Sequence, residues 1–196
     1  MARPKSDDKR NAILAAATKV FAERGLGAAP TAAISKEAGI AEGTLFTYFK
    51  TKDDLVNALY REIKLDLAGA MLSDFPRTKD VRKKLRYVWD CYVNWGVAHP
   101  EQRKVLAQLS VSDILTKETK AAGSAPFAEV QATANEAIAL HLFKDLPQSF
   151  IAACMQSLAE TTMDFMAADS AGADRYRTLG FKLFWNGVTA EVVKRA

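Results

Sequence analysis

Apolar residues recur at intervals of three and four along almost the whole chain, as in Leu55, Leu59, Ile63 and Leu67. That period places them on one stripe of a 3.6-residue helix. No run of alternating β-branched residues is long enough to suggest a strand, so the pattern predicts an all-α fold. With 196 residues, 49% of them hydrophobic, the chain can bury a substantial core but falls short of two full-sized domains.

The expected helices follow from stops and starts. Ser6, Asp7 and Asp8 predict a helix start, since an oxygen caps orphan N–H groups and acid suits the positive end of the dipole. Ile13, Leu14, Ala17, Val20 and Phe21 form its inner face and Gly25 ends it. Two short helices are expected at 31–38 and 42–49, and longer ones at 53–72, 78–98, 100–110, 127–143, 148–167 and 174–194. Pro100 suits a first helical position, whereas residues 116–126, with Gly123 and Pro126, read as a loop or broken helix.

Charge is unevenly placed. Residues 1–52 hold nine Lys/Arg against five Asp/Glu, which accounts for the whole net charge of +4, and the remainder balances eighteen against eighteen. A basic module on a neutral body suits a phosphate-bearing partner. Cys91 and Cys154 lie far apart without metal-ligand spacing, so neither a disulfide scaffold nor a zinc site is expected. A polar N-terminus and the lack of a long apolar run predict a cytoplasmic protein with no membrane partner.

The informative stretch is residues 31–49, a short helix, a glycine turn and a second short helix in the manner of a helix-turn-helix. Ile34 and Ala38 face inward, Gly39 supplies a positive φ, Ile40 plugs the turn, and Leu45 and Phe49 line the buried face of the second helix. Glu42, Gly43, Thr44, Thr47 and Tyr48 are left facing outward on a cylinder narrow enough for the major groove, with Lys52 beyond them. Threonine, tyrosine and lysine suit phosphate or base edges, while Glu42 suits base discrimination because it accepts from cytosine yet is repelled by phosphate.

The string from Ile34 through Gly39, Gly43 and Phe49 to Leu55 resembles the DNA-binding domain of TetR-family transcriptional regulators over residues 7–60. The resemblance implies a DNA-binding domain at 1–52, a helical ligand-binding and dimerisation domain at 53–196, and DNA-facing positions at Thr31, Glu42, Gly43, Thr44, Phe46, Thr47, Tyr48 and Lys52. Two departures stand out: Ala41 replaces a usual polar cap, and Phe46 replaces a common tyrosine.

A closer likeness to a multidrug-responsive branch of that family rests on the opening Met1 to Ser6, Gly43 to Phe46, the Trp89, Tyr92, Trp95, Gly96 cluster, Leu115 to Thr119, and Leu158 to Phe165. It implies a repressor that binds operator DNA and releases it when its body takes up a small apolar or aromatic effector. Tyr60, Lys64, Trp89 and Met155 then fall at ligand-facing positions, and Tyr92 joins them from the aromatic cluster. The same aromatics and methionines equally suit an ordinary core.

The last two helices carry apolar faces, Phe150, Cys154, Leu158, Thr161 and Phe165 on one and Tyr176, Leu179, Gly180, Leu183 and Gly187 on the other. These suit either burial within one chain or a homodimer that presents two recognition helices about 34 Å apart. No nucleotide-binding, serine-hydrolase or zinc-protease motif is present, so neither an enzyme nor a cofactor is expected. The alternative is a helical small-molecule-binding or scaffold protein without DNA-binding activity.

Overall fold

The computed structural model describes residues 7–190. The expected Ser6 cap, the Met1 to Ser6 likeness and the end of the last helix at Lys194 lie outside those residues. Ten α-helices run through the described chain: α1 (Asp7–Arg24), α2 (Thr31–Glu37), α3 (Glu42–Tyr48), α4 (Lys52–Leu72), α5 (Val81–Ala98), α6 (Pro100–Ser110), α7 (Lys117–Ser124), α8 (Ala128–Ala139), α9 (Gln148–Ala168) and α10 (Ala173–Val188). The all-α expectation holds, and no described helix is long and apolar enough to cross a membrane.

The described helices gather into two compact units, one of residues 7–66 with 99–126, the other of 67–98 with 127–190. This division falls later than the expected boundary after Lys52 and returns α6 and α7 to the N-terminal unit. Gln108 on α6 supplies part of the reason. Its side-chain carbonyl accepts from Leu26 N at 3.0 Å and its amide donates to Phe21 O at 3.1 Å, so it satisfies backbone groups where α1 ends.

In the first unit the apolar face of α1 (Ile13, Leu14, Ala17, Val20, Phe21) is buried as its spacing predicts. Gly25 ends that helix at φ +82°, its N–H donating to Phe21 O. Helix α4 begins at Lys52, one residue ahead of the expectation, because Thr51 and Asp54 cap it reciprocally. Asp54 N donates to Thr51 Oγ1 at 3.0 Å and Thr51 N to Asp54 Oδ2 at 3.1 Å.

Residues 117–124, expected as a loop or broken helix, form α7 followed by one 3₁₀ turn over 125–127. Thr116 caps α7 by accepting from Thr119 N. Gly123 lies against the Tyr60 ring, where a Cβ would overlap Cε1, so its place in the helix comes from packing rather than from propensity.

The second unit is built on α5, α8, α9 and α10 around Trp89, Val93, Ile151, Ala159, Met163, Met166, Phe181, Phe184 and Val188. Helix α5 starts at Val81 rather than 78, with Asp80 Oδ1 accepting from Lys83 N. Helix α8 stops at Ala139 instead of 143. His141 adopts φ +53°, Leu142 N donates to Ala137 O and His141 N to Ile138 O, which together close the helix as a Schellman turn. The freed segment extends and pairs Phe143 with Thr189, which likewise ends α10 at Val188.

Candidate nucleic-acid interface and helical body

The elbow between α2 and α3 follows from backbone chemistry. Gly39 holds φ +66°, a region that resists side chains, and Ile40 N donates to Ser35 O at 3.0 Å across it. Ile34, Leu45 and Phe49 are buried as expected, while Ile40 is half-buried. Ala41 precedes α3 without a side-chain cap, consistent with its lack of an oxygen.

With that inner face anchored, Glu42, Gly43, Phe46 and Thr47 are exposed, and Thr44 and Tyr48 are half-buried. Thr31 Oγ1 donates to Glu42 Oε1 at 2.7 Å, so the starts of α2 and α3 are tied by side chains and the Glu42 carboxylate has a fixed position. Thr47 Oγ1 donates to Gly43 O, which leaves its lone pairs to accept. The half-buried Lys52 places its ammonium 3.4 Å from Gly27 O and 5.8 Å from the Phe21 ring centre, so part of its reach is spent on its own unit. Two other basic residues are likewise paired: Lys19 with Glu37 at 2.6 Å and Arg10 with Glu62 at 3.4 Å. Every expected DNA-facing residue thus lies in the first unit.

The expected ligand residues divide. Tyr60 and Lys64 lie one turn apart on α4 in the first unit. Burial pushes the Tyr60 phenol up and the Lys64 ammonium down from their ordinary pKa values. Trp89, Tyr92 and Met155 lie in the second unit. Trp89 is fully buried, donates its indole N–H to Arg177 O at 2.9 Å, and stacks on Phe184, so it is a core residue of that unit. Tyr92 packs partly buried against the same core.

Met155 and Ala152 line a cavity of about 420 Å3 bounded by α5, α8, α9, α10 and Phe143. The sequence reading singled out neither this cavity nor its amides Gln131 and Gln148, because a cavity wall drawn from four helices leaves no linear pattern. Asn57 was also missed. It is buried, donates to Asp53 O and Ile114 O, and accepts from Thr116 N, so it clamps the segment ahead of α7 to α4. The Thr51-x-x-Asp54 capping pattern, by contrast, was readable in the sequence.

Burial raises the thiol pKa of Cys91, and a hydrogen bond from Tyr87 opposes that only in part.

Residues 13–59 match the family model described as bacterial regulatory proteins, tetR family. The fatty acid metabolism regulator protein of Bacillus subtilis is 34% identical over 76 residues, which are 39% of this chain and 39% of that protein. The chain spans less than half the length of the curated relatives it matches. Among solved structures, a TetR family transcription regulator from Marinobacter aquaeolei VT8 is similar at a TM-score of 0.82 and 25% identity, covering 94% of this chain and 97% of that one. The ketosteroid regulator KstR2 of Mycobacterium tuberculosis shares the fold at a TM-score of 0.69 and 19% identity, over 95% and 98% of the two chains. Residues 13–59 are thus similar to the tetR family of bacterial regulatory proteins, and the chain as a whole shares the fold of solved structures of TetR family transcription regulators.

Proposed function

We propose that the chain is a ligand-responsive transcriptional regulator, a repressor that binds operator DNA as a dimer and lets go when its body takes up a small apolar or aromatic compound. The observation that carries the reading is the exposed edge of α3, Glu42, Gly43, Phe46 and Thr47, held outward by buried Leu45 and Phe49 within a tetR-family match. Thr31, Thr44, Tyr48 and Lys52 flank that edge, and short or hydroxyl-bearing side chains there suit close approach to a duplex.

Dimerisation through α9 and α10 is supported by apolar side chains that the single chain leaves in water. Phe150 is 55% exposed, Phe165 54%, Leu179 42% and Leu183 63%. An apolar face of that kind suits a self-complementary contact. Effector uptake is supported by the cavity that Met155 lines. Met155 is, with Tyr60, Lys64 and Trp89, one of the residues that a likeness to the multidrug-responsive repressor RamR makes ligand-facing, and Tyr92 joins them from the aromatic cluster. Ligand bound only to a low-affinity state lowers DNA binding by shifting the population toward that state. Under this reading the chain is not an enzyme and acts in the cytoplasm.

The test is selection of a DNA sequence by the purified full-length protein, followed by titration at several salt concentrations. Specific binding that falls steeply with salt supports the reading. Equal affinity for selected and scrambled duplexes at every salt concentration refutes it.

A further inference from the structure

The cavity of the second unit has a chemical preference that its lining sets. Its floor is Leu85, Val88, Ile151 and Phe184, all buried and apolar, so the part of a ligand that reaches them must be apolar. Its polar atoms lie at the rim, where Gln131, Gln148 and Ser149 are exposed. Gln131 Nε2 and Gln148 Nε2 both donate to Asn135 Oδ1, at 3.1 and 3.2 Å. One N–H of each amide is spent on Asn135, and each glutamine carbonyl can accept from an incoming donor. The described lining holds no Lys, Arg or His. A carboxylate carried into the apolar part would give up hydration with no cation in exchange.

We propose that this cavity is the effector site, and that it selects an uncharged apolar molecule ending in a hydroxyl or N–H donor over the carboxylate of the same skeleton. That the occupant is an effector rests on the regulator reading above. The test uses no DNA, so failure of the site and failure of that reading are seen separately.

The probe is N-phenyl-1-naphthylamine, an uncharged aromatic with one N–H donor whose emission rises in apolar surroundings. The full-length protein should enhance it saturably. At about pH 8, where carboxylates are ionised, 1-dodecanol should displace the dye about tenfold more tightly than dodecanoate. Ala152→Trp fills the cavity from an exposed helix position and should weaken dye binding by about tenfold with unchanged helical circular dichroism. Should that variant misfold, Met155→Trp takes its place. Gln148→Lys supplies the missing cation and should bring dodecanoate level with dodecanol. The proposal is overturned if the wild-type chain binds neither dye nor dodecanol, if it binds dodecanoate as tightly as dodecanol, or if a folded cavity-filling variant binds dye normally.

Discussion

Replacing Gly39 by alanine isolates the turn that sets α2 against α3. Gly39 sits at φ +66°, and a Cβ built there meets nothing within 4 Å, so the substitution perturbs backbone conformation and no packing contact. Alanine in the left-handed region costs about 1–2 kcal/mol. Restricting the unfolded chain returns about 0.4–1 kcal/mol. The net loss is therefore about 1 kcal/mol, which for a chain of this size lowers the melting temperature by about 2–4 °C. Gly39→Asn supplies the control, because asparagine tolerates this region better than alanine and should lie between alanine and the wild type. Thermal unfolding by circular dichroism reads all three proteins, and operator affinity should follow the same order if the elbow aims α3. An alanine variant as stable as the wild type, or an asparagine variant worse than alanine, would refute the claim that a positive φ holds this elbow.

Other substitutions separate further roles. Tyr48→Ala should weaken binding to selected and mismatched duplexes alike, whereas Glu42→Ala should change the preferred base more than the affinity, both read by fluorescence anisotropy over a panel of operator variants. Asn57→Ala removes three hydrogen bonds, to Asp53 O, Ile114 O and Thr116 N, and should cost about 2–3 kcal/mol; a denaturant midpoint equal to the wild type's would contradict its role as a clamp. Gly180→Ala drives a Cβ into Thr162 Oγ1 and to 2.7 Å from Trp89 Cζ2, so it should destabilise by about 1–3 kcal/mol. Gly187→Ala meets open space within the single chain, so it should leave the monomer intact and weaken self-association if the α9 and α10 face is the dimer contact, as sedimentation velocity would show. Cys91 keeps its proton to higher pH than an ordinary thiol because burial disfavours the thiolate. Its alkylation by iodoacetamide should therefore lag behind that of a model thiol near neutral pH and catch up only in more alkaline solution; equal rates at neutral pH would show that the thiol is not desolvated.

The sequence alone was enough to assign the helical class, the buried faces of α1 and α4, the glycine stops at Gly25 and Gly39, and the outward edge of α3. Each of these depends on short-range causes: the 3.6-residue period, the steric cost of positive φ, and alternation between core and water within one turn of helix. Local rules failed where distant segments decide the outcome. Helix α7 forms through residues that read as a break because Thr116 caps it and Gly123 fits against Tyr60. Helix α8 ends early because His141 turns the chain and Phe143 pairs with Thr189, a partner 46 positions away.

Tertiary structure also decided which aromatics are core and which line a space. Trp89 and Met155 look equally suited to a ligand as letters. Packing buries the indole under Phe184 and leaves the thioether on a cavity wall, since a cavity is the volume that several helices fail to fill together and no single segment encodes it.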